Sequence, residues 1–320
     1  MSLKHVFGPV PSRRFGRSLG INNIPPKQCT YSCVYCQLGR SLNIRSERRT
    51  YFLPETLYSE AARAVEFAAK NGDTVDYLTL VPDGEPTLDI NIGETIGRLG
   101  DLGIPVAVIT NASLLWRKDV RDDLMGAGVV SVKVDATHPE VWHKINRGHG
   151  RLRFDRLIEG IMDFSNEYGG ELITETMLVK DINDTTDNLN WNAEFIRSLK
   201  PKAAYIAIVT RPPAEEWVCA PDEATVNQAY QIYNSSIDRV EYLIGYEGNE
   251  FGGSGNVEEN LLNITAVHPM REDAVREYVS KREAGMGIVN KLLEDGKLIR
   301  TKYGEHYFYL RKLPHTRIKI

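Results

Sequence analysis

Four cysteines in 320 residues are too few for a disulfide framework, and the spacing rules out a chain stapled by bridges. No apolar run reaches the ~18–20 residues that a membrane span needs. The first residues carry no signal-peptide core, so a reduced, cytoplasmic setting with no membrane partner is expected. Internal repeats and low-complexity tracts are absent. What remains is ordinary soluble material: 42% hydrophobic and 26% charged residues, enough for one large domain and a small one. Acid is scarce at one end. Residues 1–50 hold only Glu47 against nine Lys and Arg, a net +8. Residues 264–320 are +5 and the body between them is −17, within an overall −4. Basic ends suit a polyanion such as RNA, or phosphate groups. Neutralisation of a local anionic group by the N-terminal arginines is an equal alternative.

The cysteines that do occur are concentrated. Cys29, Cys33 and Cys36 stand as C-x3-C-x2-C in K-Q-C-T-Y-S-C-V-Y-C-Q. Three thiolates this close can hold three corners of an iron–sulfur cube and leave the fourth iron open for chemistry. A zinc site would want a fourth ligand nearby, yet the next histidine is His138 and the remaining cysteine is Cys219. This spacing resembles that of the radical SAM superfamily. The resemblance implies a 4Fe–4S cluster and S-adenosylmethionine as cofactors. It also implies reductive cleavage to a 5′-deoxyadenosyl radical, and an electron donor such as flavodoxin or ferredoxin.

Downstream, helical and strand patterns alternate. Helices are expected at Pro54–Ala69, Ile90–Leu99, Arg117–Met125, Phe154–Tyr168, Thr186–Leu199 and Ala224–Ser235. Strands are expected at Asp76–Val81, Pro105–Thr110, Val129–Asp135, Glu171–Val179, Ala203–Val209 and Val240–Ile244. Such alternation argues a parallel α/β sheet. The family resemblance selects a partial (β/α)6 TIM-type barrel with its first strand near residues 18–24 and its site at the strands' C-terminal ends. Residues 1–245 form this expected body, with 246–263 as linker or lid. Residues 264–320 read as helix, helix and β-hairpin, a winged-helix-like domain. Its hairpin mixes Arg300, Lys302, Arg311 and Lys312 with Tyr303, Tyr307 and Tyr309, which suits either nucleic-acid contact or a hairpin core.

Other candidate site residues fall at strand ends. Gly84, Glu85 and Pro86, in D-G-E-P-T-L, resemble the superfamily's G-G-E motif, with Asp83 in place of the first glycine. Tyr35 stands where the family places an aromatic beside adenine. Thr110-Asn111 resembles a cofactor-lining dipeptide, though an N-cap role suits it equally. Lys133 and Asp135 alternate on one strand and so share a face; they are expected to touch cofactor or substrate, or to form an internal ion pair. Glu175 and Arg211 are further expected cofactor contacts. Arg13, Arg14, Arg17, His143, Arg147 and Lys180 are expected on the substrate. The N-terminal arm, cysteine loop and G-E-P-T-L resemble the iron–sulfur oxidoreductases related to wyosine synthases, without their second N-terminal cysteine cluster. A tRNA or RNA substrate is one reading; a peptide or small molecule is another. A non-enzymatic iron–sulfur redox sensor that reads DNA is a third, and it leaves G-E-P-T-L unexplained.

Overall fold

The computed structural model describes residues 3–41, 44–244, 248, 251–252 and 256–312. Seven strands run parallel: β2 (Gly16–Ile21), β3 (Tyr77–Leu80), β4 (Val106–Thr110), β5 (Val129–Lys133), β6 (Glu171–Leu178), β7 (Ala203–Ile208) and β8 (Val240–Leu243). Their spatial order is their chain order. That follows from the crossovers, which are too long for hairpins and carry helices back over one face. The helices are α1 (Pro54–Lys70), α2 (Ile92–Gly100), α3 (Lys118–Leu124), α4 (Pro139–Ile145), α5 (Phe154–Glu167), α6 (Thr186–Ser198) and α7 (Glu223–Asn234). The sheet is an open half-barrel.

Strand alternation builds both faces. Val130 and Val132 of β5 join the core under the helices, whereas Val129 faces the interior with Ala107, Ile173, Ala203, Tyr205 and Phe15. An antiparallel strand, β1 (Val6–Ser12), closes the first edge by pairing with β2. The expected six-unit count is therefore corrected to seven parallel strands plus β1. The seventh is the short Val240 run, which pairs with β7. β1 does not read as a strand because Gly8, Pro9 and Pro11 interrupt it, and prolines are tolerated there only because β1 is an edge.

Beyond β8 come α8 (Val257–Val267), β9 (Met270–Arg271), α9 (Glu272–Ser280), α10 (Gly287–Glu294), β10 (Leu298–Tyr303) and β11 (His306–Arg311). The last three strands form a small antiparallel sheet in the order β10-β11-β9. The expected linker 246–263 is corrected in part: residues 257–263 belong to α8, and Leu261 is fully buried. Most of the preceding loop (245–247, 249–250 and 253–255) lies outside the described residues. Phe7 and Val10 of β1 share a core cluster with Met270, Val275, Tyr278 and Leu292, which docks the C-terminal unit on the barrel's first edge.

Candidate active site at the mouth of the half-barrel

The three cysteines sit on the long loop from β2 to α1, and distant partners shape it. Ser32 N donates to Asn146 O at 3.1 Å, Val34 N to Ile145 O at 2.9 Å, and His149 N to Thr30 O at 2.9 Å. Arg45 N donates to Cys29 O at 2.8 Å. The Asn111 amide lies 3.6 Å from Cys29 Sγ and the Asn146 amide 3.5 Å from Cys33 Sγ, each as a donor. Burial raises the Cys33 thiol to about 12 and lifts Cys29 still further above its ordinary range. Donors aimed at sulfurs that burial leaves reluctant to ionise fit thiolates whose charge is met by iron. Among the described residues no three His, Cys, Asp or Glu side chains stand as a ready-made metal-binding group, so the fit to a cluster rests on the cysteine spacing and these donors.

The G-E-P-T-L turn follows β3 and locks this loop to β4. Gly84 is required by contact: a Cβ there would lie 1.8 Å from the Gln28 carbonyl oxygen. Glu85 N donates to that same oxygen at 2.9 Å. The Glu85 carboxylate, 1% exposed, accepts from Thr87 N (3.1 Å), Thr87 Oγ1 (2.6 Å), Thr110 Oγ1 (2.6 Å) and Asn111 N (2.7 Å). Burial raises this carboxyl even so. Glu85 is thus an internal clamp with its acceptors spoken for, and Pro86 opens the short 3-10 turn Pro86–Leu88 behind it. Asn111 extends the clamp by donating to Thr30 Oγ1 at 2.8 Å.

Lys133 and Glu175 are register partners on β5 and β6, which brings Lys133 Nζ within 2.9 Å of the carboxylate. Arg14 reaches the same carboxylate from the β1–β2 turn and also donates to Ser131 Oγ at 3.2 Å. Burial alone would raise Glu175; Arg14 and Lys133 outweigh it and hold the carboxyl at about 2. Lys133 Nζ stands 4.7 Å from the Tyr35 ring centre. The Tyr35 hydroxyl donates to Asp135, which also accepts from Asn146 Nδ2 (2.8 Å) and Met177 N (2.9 Å). Tyr35, Lys133, Asp135 and Glu175 thus stand together, and the ion pair that Lys133 makes is with Glu175, not with Asp135.

The expected substrate residues divide. Arg13 and Arg14 line an interior cavity of ≈160 Å³ together with Phe15, Gln37, Arg211 and His268. Arg211 donates to Gln37 Oε1 at 2.8 Å and meets the His268 ring at 3.1 Å. Arg17 is corrected: it lies near the start of β2, at the opposite end from the cysteines, and pairs with Asp73 at 2.7 Å. His143 and Lys180 are both exposed, and neither lines the interior cavity. Arg147 is near the cysteine loop but binds Glu215, a buried carboxylate also held by Arg40. Glu215 N donates to Val34 O at 3.1 Å, so this loop after β7 covers the cysteine loop. Asn146 and Glu215 were missed by sequence reasoning. Asn146 stood inside a stretch read for its His and Arg, and Glu215 carries no local signal.

A model of the radical SAM superfamily matches residues 23–191, spanning the cysteine loop, G-E-P-T-L, β4 and β5. The chain belongs to the radical SAM superfamily. Its cofactors are accordingly a 4Fe–4S cluster and S-adenosylmethionine. It is 44% identical over 310 residues to a UPF0026 protein of Methanocaldococcus jannaschii, covering 96% of each chain. In fold it is similar to a radical SAM methyltransferase from Sphaerobacter thermophilus, with a TM-score of 0.54, 16% identity, and 71% of this chain and 66% of that one covered. It is also similar to TYW1 with a lysine-pyruvate adduct bound, with a TM-score of 0.53, 15% identity, and 69% and 74% covered. This radical SAM enzyme has no helix, among the described residues, long and apolar enough to cross a membrane.

Proposed function

We propose that this radical SAM enzyme abstracts hydrogen from a small molecule held inside the half-barrel. The observation that carries the reading is the interior cavity, which reaches Gln37 beside Cys36. Apolar walls from Phe7, Val10 and Ile109, joined by a few polar groups, are the ordinary make-up of a small-molecule site. Arg13, Arg14 and Arg211 make that wall positive, and an anionic substrate group would share Arg14 with Glu175 and Arg211 with Gln37. When bound, the cluster and S-adenosylmethionine supply one-electron cleavage of the sulfonium and removal of a hydrogen atom. The chain's residues do the rest. Cys29, Cys33 and Cys36 would hold iron, with the Asn111 and Asn146 amides steadying two of the sulfurs. Tyr35, Lys133, Asp135 and Glu175 form a rigid polar wall for S-adenosylmethionine, with Thr110 and the Gly84–Pro86 turn bracing the cysteine loop behind it. A one-electron donor such as flavodoxin or ferredoxin supplies the reducing equivalent.

An RNA substrate would need free cations on the C-terminal unit. There, Arg300 pairs with Glu272 at 2.7 Å and Arg311 Nη1 lies 3.4 Å from Asn263 Oδ1. Tyr303 donates to Val209 O at 3.1 Å, and Tyr309 is buried. The order α8-β9-α9-α10-β10-β11 suits a winged-helix-like unit, and we read it as a brace for the barrel. The test is 5′-deoxyadenosine formation by the reduced enzyme, with ultrafiltered small-molecule extract compared with total tRNA. Stimulation by the extract supports the reading. Stimulation by tRNA alone overturns it.

A further inference from the structure

A second cavity, of ≈190 Å³, lies behind the G-E-P-T-L turn and shares no lining residue with the interior one. It forms where the start of the chain, the entry to the cysteine loop at Ile24–Pro26, and the C-terminal elements α8 and β11 meet. Asp83 lines it and is 2% exposed, yet its Oδ1 has no hydrogen-bond partner. Asn22 Oδ1, on the same wall, is likewise buried and unpartnered. Burying such acceptors unanswered is costly, so the wall asks for donors. Arg311 and Lys4 line the same cavity and give it positive charge; Arg311 Nη1 lies 3.4 Å from Asn263 Oδ1, and Lys4 is exposed. The remaining polar neighbours are committed elsewhere. His5 Nδ1 meets Glu60 at 3.0 Å, and Asn263 Nδ2 donates to Leu3 O at 2.8 Å. The rest of the wall is apolar, from Ile24, Pro25, Pro26, Phe52 and Ala266.

A single ion does not answer this lining. An inorganic anion would be repelled by Asp83 and leave Asn22 unmet, and a metal cation would face Arg311 and Lys4. A molecule with an ammonium and a carboxylate one carbon apart, and a short apolar body, gives donors to Asp83 and Asn22, sets its negative charge beside Arg311 and Lys4, and covers the apolar wall. We propose that this cavity binds a free α-amino acid with an aliphatic side chain, its ammonium on Asp83 and Asn22 and its carboxylate on Arg311 and Lys4. The location gives such a ligand leverage. The Asp83 carbonyl accepts from Lys27 N at 2.8 Å, and Gly84 touches Gln28, so Asp83 is tied to the base of the cysteine loop. An amino acid here would join the C-terminal unit to that loop.

The test is isothermal titration of the full-length, cluster-loaded protein saturated with S-adenosylmethionine, which keeps the titrant out of that cofactor's methionine end. The probes are L-leucine, 4-methylpentanoate (no ammonium) and 3-methylbutylamine (no carboxylate). Leucine is expected to bind at least ~10-fold more tightly than either half-molecule, because each lacks one charge-assisted contact. Asp83→Asn and Arg311→Gln should each weaken leucine by ~10-fold, and Asn22→Ala by less. Arg311→Lys, which keeps the charge, should retain part of the affinity and guards against a folding defect. No heat with leucine, equal binding by a half-molecule, or indifference to both charge substitutions overturns the proposal. Hydrogen abstraction in the interior cavity would stand in any of those cases, since the two cavities have no wall in common.

Discussion

The cysteine loop and the C-terminal unit are held by different means. The loop is fixed by polar contacts from far along the chain: Asn111, Asn146, Glu85 and Glu215 all bear on it. The C-terminal unit is fixed chiefly by an apolar cluster shared with β1, and its charges meet one another at the surface. A hydrophobic cluster secures attachment and tolerates adjustment. A satisfied buried polar network sets geometry more strictly, and losing one member strands the others. That is the stiffness a site needs if it is to keep a cofactor in a fixed pose.

Substitutions should separate the two regions by size of effect. Glu175→Gln leaves Arg14 and Lys133 buried without their carboxylate, and should cost about 3–5 kcal/mol of stability by denaturant unfolding. Glu85→Gln keeps the shape but replaces an acceptor of four hydrogen bonds, and should cost about 2–3 kcal/mol with poorer cluster retention. A pH titration sharpens the same contrast. Glu175 sits at about 2 when folded, against an ordinary 4.5, so its stabilisation is complete above pH 4.5. It is lost as pH falls from there toward 2, and the acid limb of the stability curve should be shallower in Glu175→Gln. On the other side of the comparison, Arg300→Ala removes an exposed pair with Glu272 and a stack on Tyr307, and should leave the melting temperature unchanged within error.

The same contrast explains what the sequence made legible. Short spacings make motifs stand out, so the Cys29, Cys33 and Cys36 triplet, the Gly84–Pro86 turn and Thr110-Asn111 could be picked out directly, as could most helices from their apolar periodicity. Whether a charge is free depends on contacts that no local window contains. Arg14 meets Glu175 across 161 positions and Arg147 meets Glu215 across 68, so both looked available. Arg311 and Tyr303 looked like surface readers and turn inward to Asn263 and Val209 instead. β1 was hidden because its prolines obey an edge-strand rule that applies only once the sheet is known.

The central claim is that the cysteine loop and its polar clamp form a working radical SAM site. The direct measurement is anaerobic cluster reconstitution, reduction with dithionite in the presence of S-adenosylmethionine, and quantitation of 5′-deoxyadenosine. Formation of 5′-deoxyadenosine by the wild type, falling to background in Cys33→Ala, is the predicted result. A cluster that assembles on the three cysteines while S-adenosylmethionine is neither bound nor cleaved would contradict the account.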